Sequence, residues 1–461
     1  MKRYITEFFF LLLFASCSDF LELTPVSEAS APNFYRNAKD MKVALNGAYA
    51  SLQSNSMYRS DYTTLMEVRS DNIADNNPGG AAGIYYNIDK FTAKGDNTVI
   101  RDVWKTTYKQ IYRLNEILDK TDVVVEPGLR TQYEGEARFL RALAYFNIVR
   151  LWGNAPLILS PITTQEAYSQ TRKSVNDIYV AIEADLDFAK QLPENYTADA
   201  DLGRATSVAA KTLLAKVYLT QKKYREAASL LEDLVINYSD TYSLQDTPAD
   251  VFDVTKKMNK EILFAVRFSK TIPGESSSTH DAYTNKFGMD AALLSSYKGS
   301  DKRKALLSYT RVNSTFIVRK YADTPDLSTN GVGVDFPVLR WADVLLMYAE
   351  ALNEVAYSGD ETAAAFSALN AVRRRASASL YTAAILPDQN SFREAVWLER
   401  RLELPLENHR WFDLLRTGKA IEAMKAVKLD ITGNDLLYPI PESEVLIMNN
   451  PAGFPQNPGY N

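Results

Sequence analysis

The stretch Ala210 to Val235 (AKTLLAKVYLTQKKYREAASLLEDLV) constrains this chain most, because its apolar residues recur three and four apart on both sides of a short polar break. That pattern predicts a helix, a tight turn and a second helix. Within it Leu214, Ala215, Tyr218, Tyr224, Ala227 and Leu231 alternate large, small and aromatic. Small residues belong where two antiparallel helices approach closely, and large ones fill the space between successive hairpins.

These six positions fall where a tetratricopeptide repeat places the same residue classes. A looser copy begins at Trp341, with Leu345, Tyr348, Ala349 and Leu352 on its first helix and Ala365, Leu369 and Val372 on its second. Its turn, around Ser358, Gly359 and Asp360, is longer. Trp104, Tyr108, Ile111 and Leu114 mark another helix, and Tyr133 to Leu151 reads as one apolar over much of its circumference, stopped by Gly153 and Pro156. The expected fold is mainly α, with tetratricopeptide-like hairpins forming a superhelical scaffold against an irregular, loop-rich half. The helical segments fall at about residues 100–235 and 338–420.

Loop-rich segments at about 71–99 and 269–330 lack periodicity and are dense in Asn, Gly, Pro, Ser and Thr. Loops this long in a compact body usually carry a function. The chain is rich in tyrosine, with 27, and poor in histidine, with only His280 and His409. A tyrosine ring stacks on a weakly apolar ligand face while its hydroxyl makes hydrogen bonds, which suits sugars and peptides. Tyr85, Tyr86 and Asn87 place two rings beside an amide in the first loop segment; Asp71 and Asn72 at its mouth are candidates to fix hydroxyl groups, and Tyr283 in the second is a candidate to close the site.

Two histidines leave few ways to build a Ser-His-Asp triad or a zinc site. The sequence holds no glycine-rich phosphate loop, HExxH, CxxC or GxSxG. With 52 Lys and Arg against 57 Asp and Glu there is no basic field for nucleic acid. Glu399 and Glu403 share a helix face, yet opposite charges alternate from Glu399 to Arg416, so these carboxylates are expected to serve as arginine partners in packing. Asp71, Asp75, Asp89 and Asp96 are oxygen donors of the kind calcium takes, at spacings that follow no EF-hand, so no metal is expected. The expectation is a protein that is not an enzyme and carries no cofactor.

The N-terminus reads as an export signal: Lys2 and Arg3, the apolar run Phe8 to Phe14, then Ala15 and Ser16 before Cys17, the one cysteine of 461 residues. Residues 1–16 are therefore expected to be removed, leaving a single body, 17–461, acylated on Cys17 and lying on a membrane by its lipid. No later apolar run is long enough to span a bilayer.

Several ordered stretches then point to a family. Cys17 is followed by Asp19-Phe20-Leu21-Glu22 and Pro25; EVRSD runs from Glu67 to Asp71; EARFLRALAYFNIVRLWGNAP spans Glu136 to Pro156; ERRLELPLENHRWFDLLRTG spans Glu399 to Gly418, with YPIP from Tyr438 and QNPGY from Gln456. In these the chain resembles the SusD/RagB family of outer-membrane nutrient-binding lipoproteins. The resemblance implies four tetratricopeptide-like hairpins and a lipid anchor at the cell surface. It also implies a SusC-like, TonB-dependent transporter as partner, over which the protein would act as a lid delivering glycans or oligosaccharides. The family motifs are structural and carry no ligand residues onto this chain. Two alternatives stay open: the same architecture binding peptides, and a scaffold for the transporter that binds no nutrient.

Overall fold

A computed structural model describes residues 34–75, 77–277, 287–312, 315–323 and 332–460. Cys17, the export signal and Tyr283 lie outside the described residues.

The principal helices are α1 (Ala38–Ser51), α2 (Asp61–Val68), α3 (Ile84–Asp89), α4 (Thr98–Asp119), α5 (Pro127–Trp152), α6 (Val175–Ala189), α7 (Ser207–Thr220), α8 (Tyr224–Asn237), α9 (Trp341–Val355), α10 (Ala364–Arg375), α11 (Gln389–Glu403), α12 (Arg410–Thr417), α13 (Ala420–Ala426) and α14 (Glu442–Met448). Several of the long helices start on a local device. Asn97 caps α4 by accepting from the Val99 and Ile100 N–H groups, Thr206 caps α7 through Ala209, and Asp388 and Ser391 form a reciprocal capping box at α11. Pro127 opens α5, where its missing N–H costs nothing. Gly153 ends it at φ +70°, a left-handed backbone in which an added Cβ would also meet the Leu437 side chain at 2.8 Å.

Helices α4 to α9 pack in chain order, each against the next, with α9 then contacting both α10 and α11. The α7–α8 hairpin forms as the spacing predicts: Leu214, Ala215, Ala227 and Leu231 have no exposed surface. The α9–α10 hairpin buries Ala349, Leu369 and Val372 equally. Helix α5 is buried on more than one side, with Ala137, Phe139, Phe146, Ile148 and Trp152 all fully covered. Burying a Leu or Phe side chain stabilises by roughly 1.5–3 kcal/mol, so these apolar surfaces hold the helical half together.

Among the described residues the strands are short and form four antiparallel pairs: β1 (Ile73–Asp75) with β5 (Phe287–Met289), β2 (Ala155–Pro156) with β3 (Arg172–Lys173), β4 (Ile262–Val266) with β8 (Phe336–Arg340), and β6 (Tyr309–Val312) with β7 (Thr315–Val318). The β4–β8 pair lies against α7 and α9 and joins the irregular half to the helices. The two segments expected as loops thus contain regular elements. The first contains β1 and α3, and the second contains β5 and a further helical turn at Ala291–Ser296. Elements this short leave no periodicity to read in a sequence.

Candidate functional site

The β1–β5 pairing brings the two aperiodic segments together, with Ile73 opposite Met289 and Asp75 opposite Phe287. Helix α3 follows directly. It is entered through Gly83 at φ +78°, where a Cβ would press on the Pro78 carbonyl at 3.1 Å. Tyr85, Tyr86 and Asn87 on α3 are all half-buried. The Tyr85 ring meets Phe287 edge to face at a centroid separation of 6.3 Å, and its hydroxyl donates to Asp61 Oδ1 at 3.3 Å. Burial, with the Asp61 charge beside it, pushes the Tyr85 hydroxyl up to about 12, so it remains a donor. The Lys90 ammonium sits 5.4 Å from the Tyr86 ring centroid, and Asn87 Oδ1 accepts from the Thr92 hydroxyl at 3.2 Å.

Asp71 and Asn72 precede β1 directly but are buried and taken up by arginines, which corrects the expectation that they fix ligand hydroxyls in this loop. Asp71 is 6 % exposed, and both its oxygens accept from Arg410, Nε at 2.7 Å and Nη2 at 2.8 Å, with Arg401 at 3.1 Å. Burial alone would raise its carboxyl, but Arg410 and Arg401 hold it below the usual range. Asn72 has no exposed surface, and its Oδ1 accepts from Arg401 Nε at 2.9 Å. The turn between α2 and β1 passes under α11 and α12, and the two side chains are used in fixing it there.

A cleft that the sequence did not reveal opens on the second aperiodic segment. It has a volume of about 520 Å³, and Gln53, Lys257, Arg267, Lys270, Glu275 and Asp323 are on its wall. A second cavity of about 240 Å³ shares Gln53, Arg267 and Glu275 with it and runs on to Asn46 and Arg204. The segment from Gln53 to Asp61 is the seam between cleft and tyrosines. Gln53 Nε2 donates to the Arg267 carbonyl at 2.7 Å, Arg59 Nη2 to Ser276 Oγ at 2.8 Å, and Asp61 receives Tyr85. Lys257 is set by the Phe268 carbonyl and Asp335, both at 2.6 Å, and Lys270 by Asp323 at 3.1 Å. Volume and lining suit a small, hydroxyl-rich ligand met by amide, guanidinium and carboxylate groups. The wall is assembled from separate parts of the chain, so no local spacing announces it.

The charged run Glu399 to Arg416 has the expected packing role, with most partners outside the run. Glu399 accepts from Arg303 at 2.5 Å and also pairs with Arg373; Arg400 donates to Asp343 and Asp413, both at 2.9 Å; Arg416 grips Glu350. Glu403 meets Arg340 at 2.7 Å and is held well below the carboxylate range, because the surrounding Arg375, Arg340 and Arg303 outweigh its burial. Carboxylates so engaged are closed to proton transfer. His409 is buried 3.4 Å from Lys216 Nζ, and burial, reinforced by the Lys216 charge, pushes it down to about 3. Among the described residues no three His, Cys, Asp or Glu side chains converge on a metal position, and no helix is long and apolar enough to cross a membrane.

Two family models match the chain in tandem. One, described as "Starch-binding associating with outer membrane", covers residues 19–219, and one described as the SusD family covers residues 266–460. The chain is 29 % identical over its whole length to the whole of SusD-like protein P2 from Formosa agariphila. Among solved structures it is similar to a SusD homolog from Bacteroides thetaiotaomicron, with a TM-score of 0.81 at 25 % identity over 94 % of this chain and 99 % of that one. It is also similar to a laminarin-binding SusD-like protein, with a TM-score of 0.77 at 27 % identity over 92 % of this chain and 100 % of that one.

Proposed function

Because the chain belongs to the SusD family, we propose that it is a non-enzymatic glycan-binding lipoprotein whose ligand lies on the face shared by the α3 tyrosines and the cleft beside Gln53. The observation that carries this reading is the junction of the two aperiodic segments. Through β1–β5 pairing, two half-buried tyrosine rings and an amide on the first segment meet the second segment, whose residues 269–275 also line a polar cleft of ligand size. A sugar stacks its C–H face on an aromatic ring and its hydroxyls on amides, carboxylates and guanidinium groups, and such binding needs no catalytic group. The laminarin-binding relative supports a glucan as the first ligand to try.

On this reading the protein sits at the surface of the outer membrane, anchored by a lipid on Cys17, and delivers its glycan to a SusC-like, TonB-dependent transporter. No nucleic acid, metal or cofactor has a part in it.

Calorimetry with soluble laminari-, malto- and xylo-oligosaccharides tests the site. The Tyr85→Ala, Tyr86→Ala double variant is expected to bind the preferred glycan at least about tenfold more weakly than wild type, equivalent to about 1.4 kcal/mol. Equal affinity would remove the tyrosines from the site. Intact-mass measurement of membrane-purified protein should find an acylated chain beginning at Cys17, and an unacylated N-terminus would rule out the anchor.

A further inference from the structure

Four of the five tryptophans are packed away: Trp104, Trp152, Trp341 and Trp411 are each 4 % exposed or less. Trp397, on α11, is only half-buried and stands on the wall of a separate cavity of about 270 Å³ between α11 and the α12–α13 pair. Its ring is held in place. The indole Nε1–H donates to Glu350 Oε1 at 3.2 Å, and Glu350 is itself clamped by Arg416. Leu414, Ala423 and Ala426 line the cavity beside the ring, and Leu398, 37 % exposed, adds apolar surface.

Charged groups surround this apolar patch. Arg401 and Arg410 line the cavity, both pinned by Asp71; each uses Nε and Nη2 for its protein partners, and neither Nη1 has a partner among the described residues. Lys419, paired with Glu422 at 3.0 Å and with Glu394 at 3.7 Å, completes the rim with both carboxylates. One fixed aromatic face ringed by prepositioned donors and acceptors matches a pyranose, which presents an apolar face and a circle of hydroxyls. At this volume, just below the roughly 300 Å³ at which small-molecule pockets begin, the cavity suits one sugar ring and not a protein segment.

We propose that the Trp397 cavity is a second, single-ring glycan subsite, distinct from the α3 tyrosines and the Gln53 cleft. The inference rests on the glycan-binding reading above. Asp71, which the sequence suggested as a direct ligand, acts here as a positioning residue that aims Arg401 and Arg410 at the cavity.

Laminarihexaose is the probe, read by calorimetry and by acrylamide quenching of tryptophan fluorescence. Wild type should show protection from quenching when the hexaose binds, since Trp397 is the accessible indole. Trp397→Ala should abolish the protection and weaken binding about five- to tenfold. The Lys419→Ala, Glu422→Ala rim variant removes an exposed glutamate and a half-buried lysine whose partners are exposed carboxylates, so folding is preserved, and it should weaken binding two- to fivefold with protection reduced. The subsite is overturned, with the main site intact, if both variants bind like wild type while the double tyrosine variant does not. If wild type binds no glycan by heat or by quenching, the main reading and the subsite fall together.

Discussion

The α7–α8–α9 region and the seam around Arg340 are both buried, and they are held by opposite means. In the helical region Leu213, Leu214, Val217, Leu231, Leu234 and Leu346 meet at 1 % exposure or less, and this apolar contact is crossed by the largely buried Lys216–Asp343 pair at 2.6 Å between α7 and α9. In the seam the Arg340 fork, 2 % exposed, reaches Glu261 at 2.8 Å, Glu403 at 2.7 Å and Glu407 at 2.6 Å, while Arg303 and Lys320 reach α11 and the turn after it. Apolar packing depends on volume and tolerates small changes of shape. A buried ion network depends on geometry, and removing one member strands the rest. The irregular half has few apolar stripes to dock with. It docks through a smaller apolar surface, with Phe264 and Phe336 in the common core, and the ion network adds directional contacts to that attachment.

The most severe way to break this comparison is Arg340→Met, which keeps the bulk and deletes the fork. Glu261, Glu403 and Glu407 would then face one another with fewer counter-charges, at an expected cost of about 3–5 kcal/mol in denaturant unfolding. Arg340→Lys should recover only part of that, because one ammonium cannot serve three carboxylates in fixed directions. A Met variant as stable as wild type would show that the seam is ordinary packing.

Glu67 sharpens the contrast through pH. It is fully buried on α2, accepting from the Asn408 N–H at 2.6 Å, and burial raises its carboxyl from 4.5 to about 7. The unfolded chain therefore gives up this proton first, so Glu67 lowers stability as pH rises from about 4.5 to about 7. His409 works the other way. Held neutral with its folded pKa at about 3, it contributes stability that is present above about 6.5 and lost as pH falls toward 3. Glu67→Gln isolates the first effect: near pH 8 it should be more stable than wild type by up to about 3 kcal/mol, and near pH 4.5 the two should coincide. A constant difference across that range would mean that Glu67 is already ionised in the folded protein.

The same contrast explains what a reading of the sequence reaches. The hairpins are legible because their determinants are local: Leu214, Ala215 and Tyr218 lie within one turn or so of each other, and a helix period exposes them. The packing role of the Glu399–Arg416 run is legible from its alternating charges, but its partners are not, since Arg340 and Glu403 are 63 residues apart. Asp71 looked free because Arg410, which consumes it, lies 339 residues away. The Gln53 cleft is invisible for the same reason, with Gln53 and Arg267 meeting across 214 positions. Tyr85 and Tyr86 are proposed from composition and loop length alone. What brings them beside the second segment is a three-residue strand pair, too short for any periodicity.

The smallest expected effect completes the comparison from the apolar side. Leu214 has no exposed surface and sits mid-helix where α7 packs on α6 and α8. Leu214→Met conserves volume and adds a flexible side chain that adapts to its surroundings, so it should cost less than about 1.5 kcal/mol. Arg340→Lys is as conservative in charge as this change is in volume, yet it should cost clearly more. Chemical denaturation of the two variants side by side measures that difference directly. Equal costs would mean that directionality adds nothing to the seam, and the loop-bearing half would then be held by the same forgiving packing as the helices.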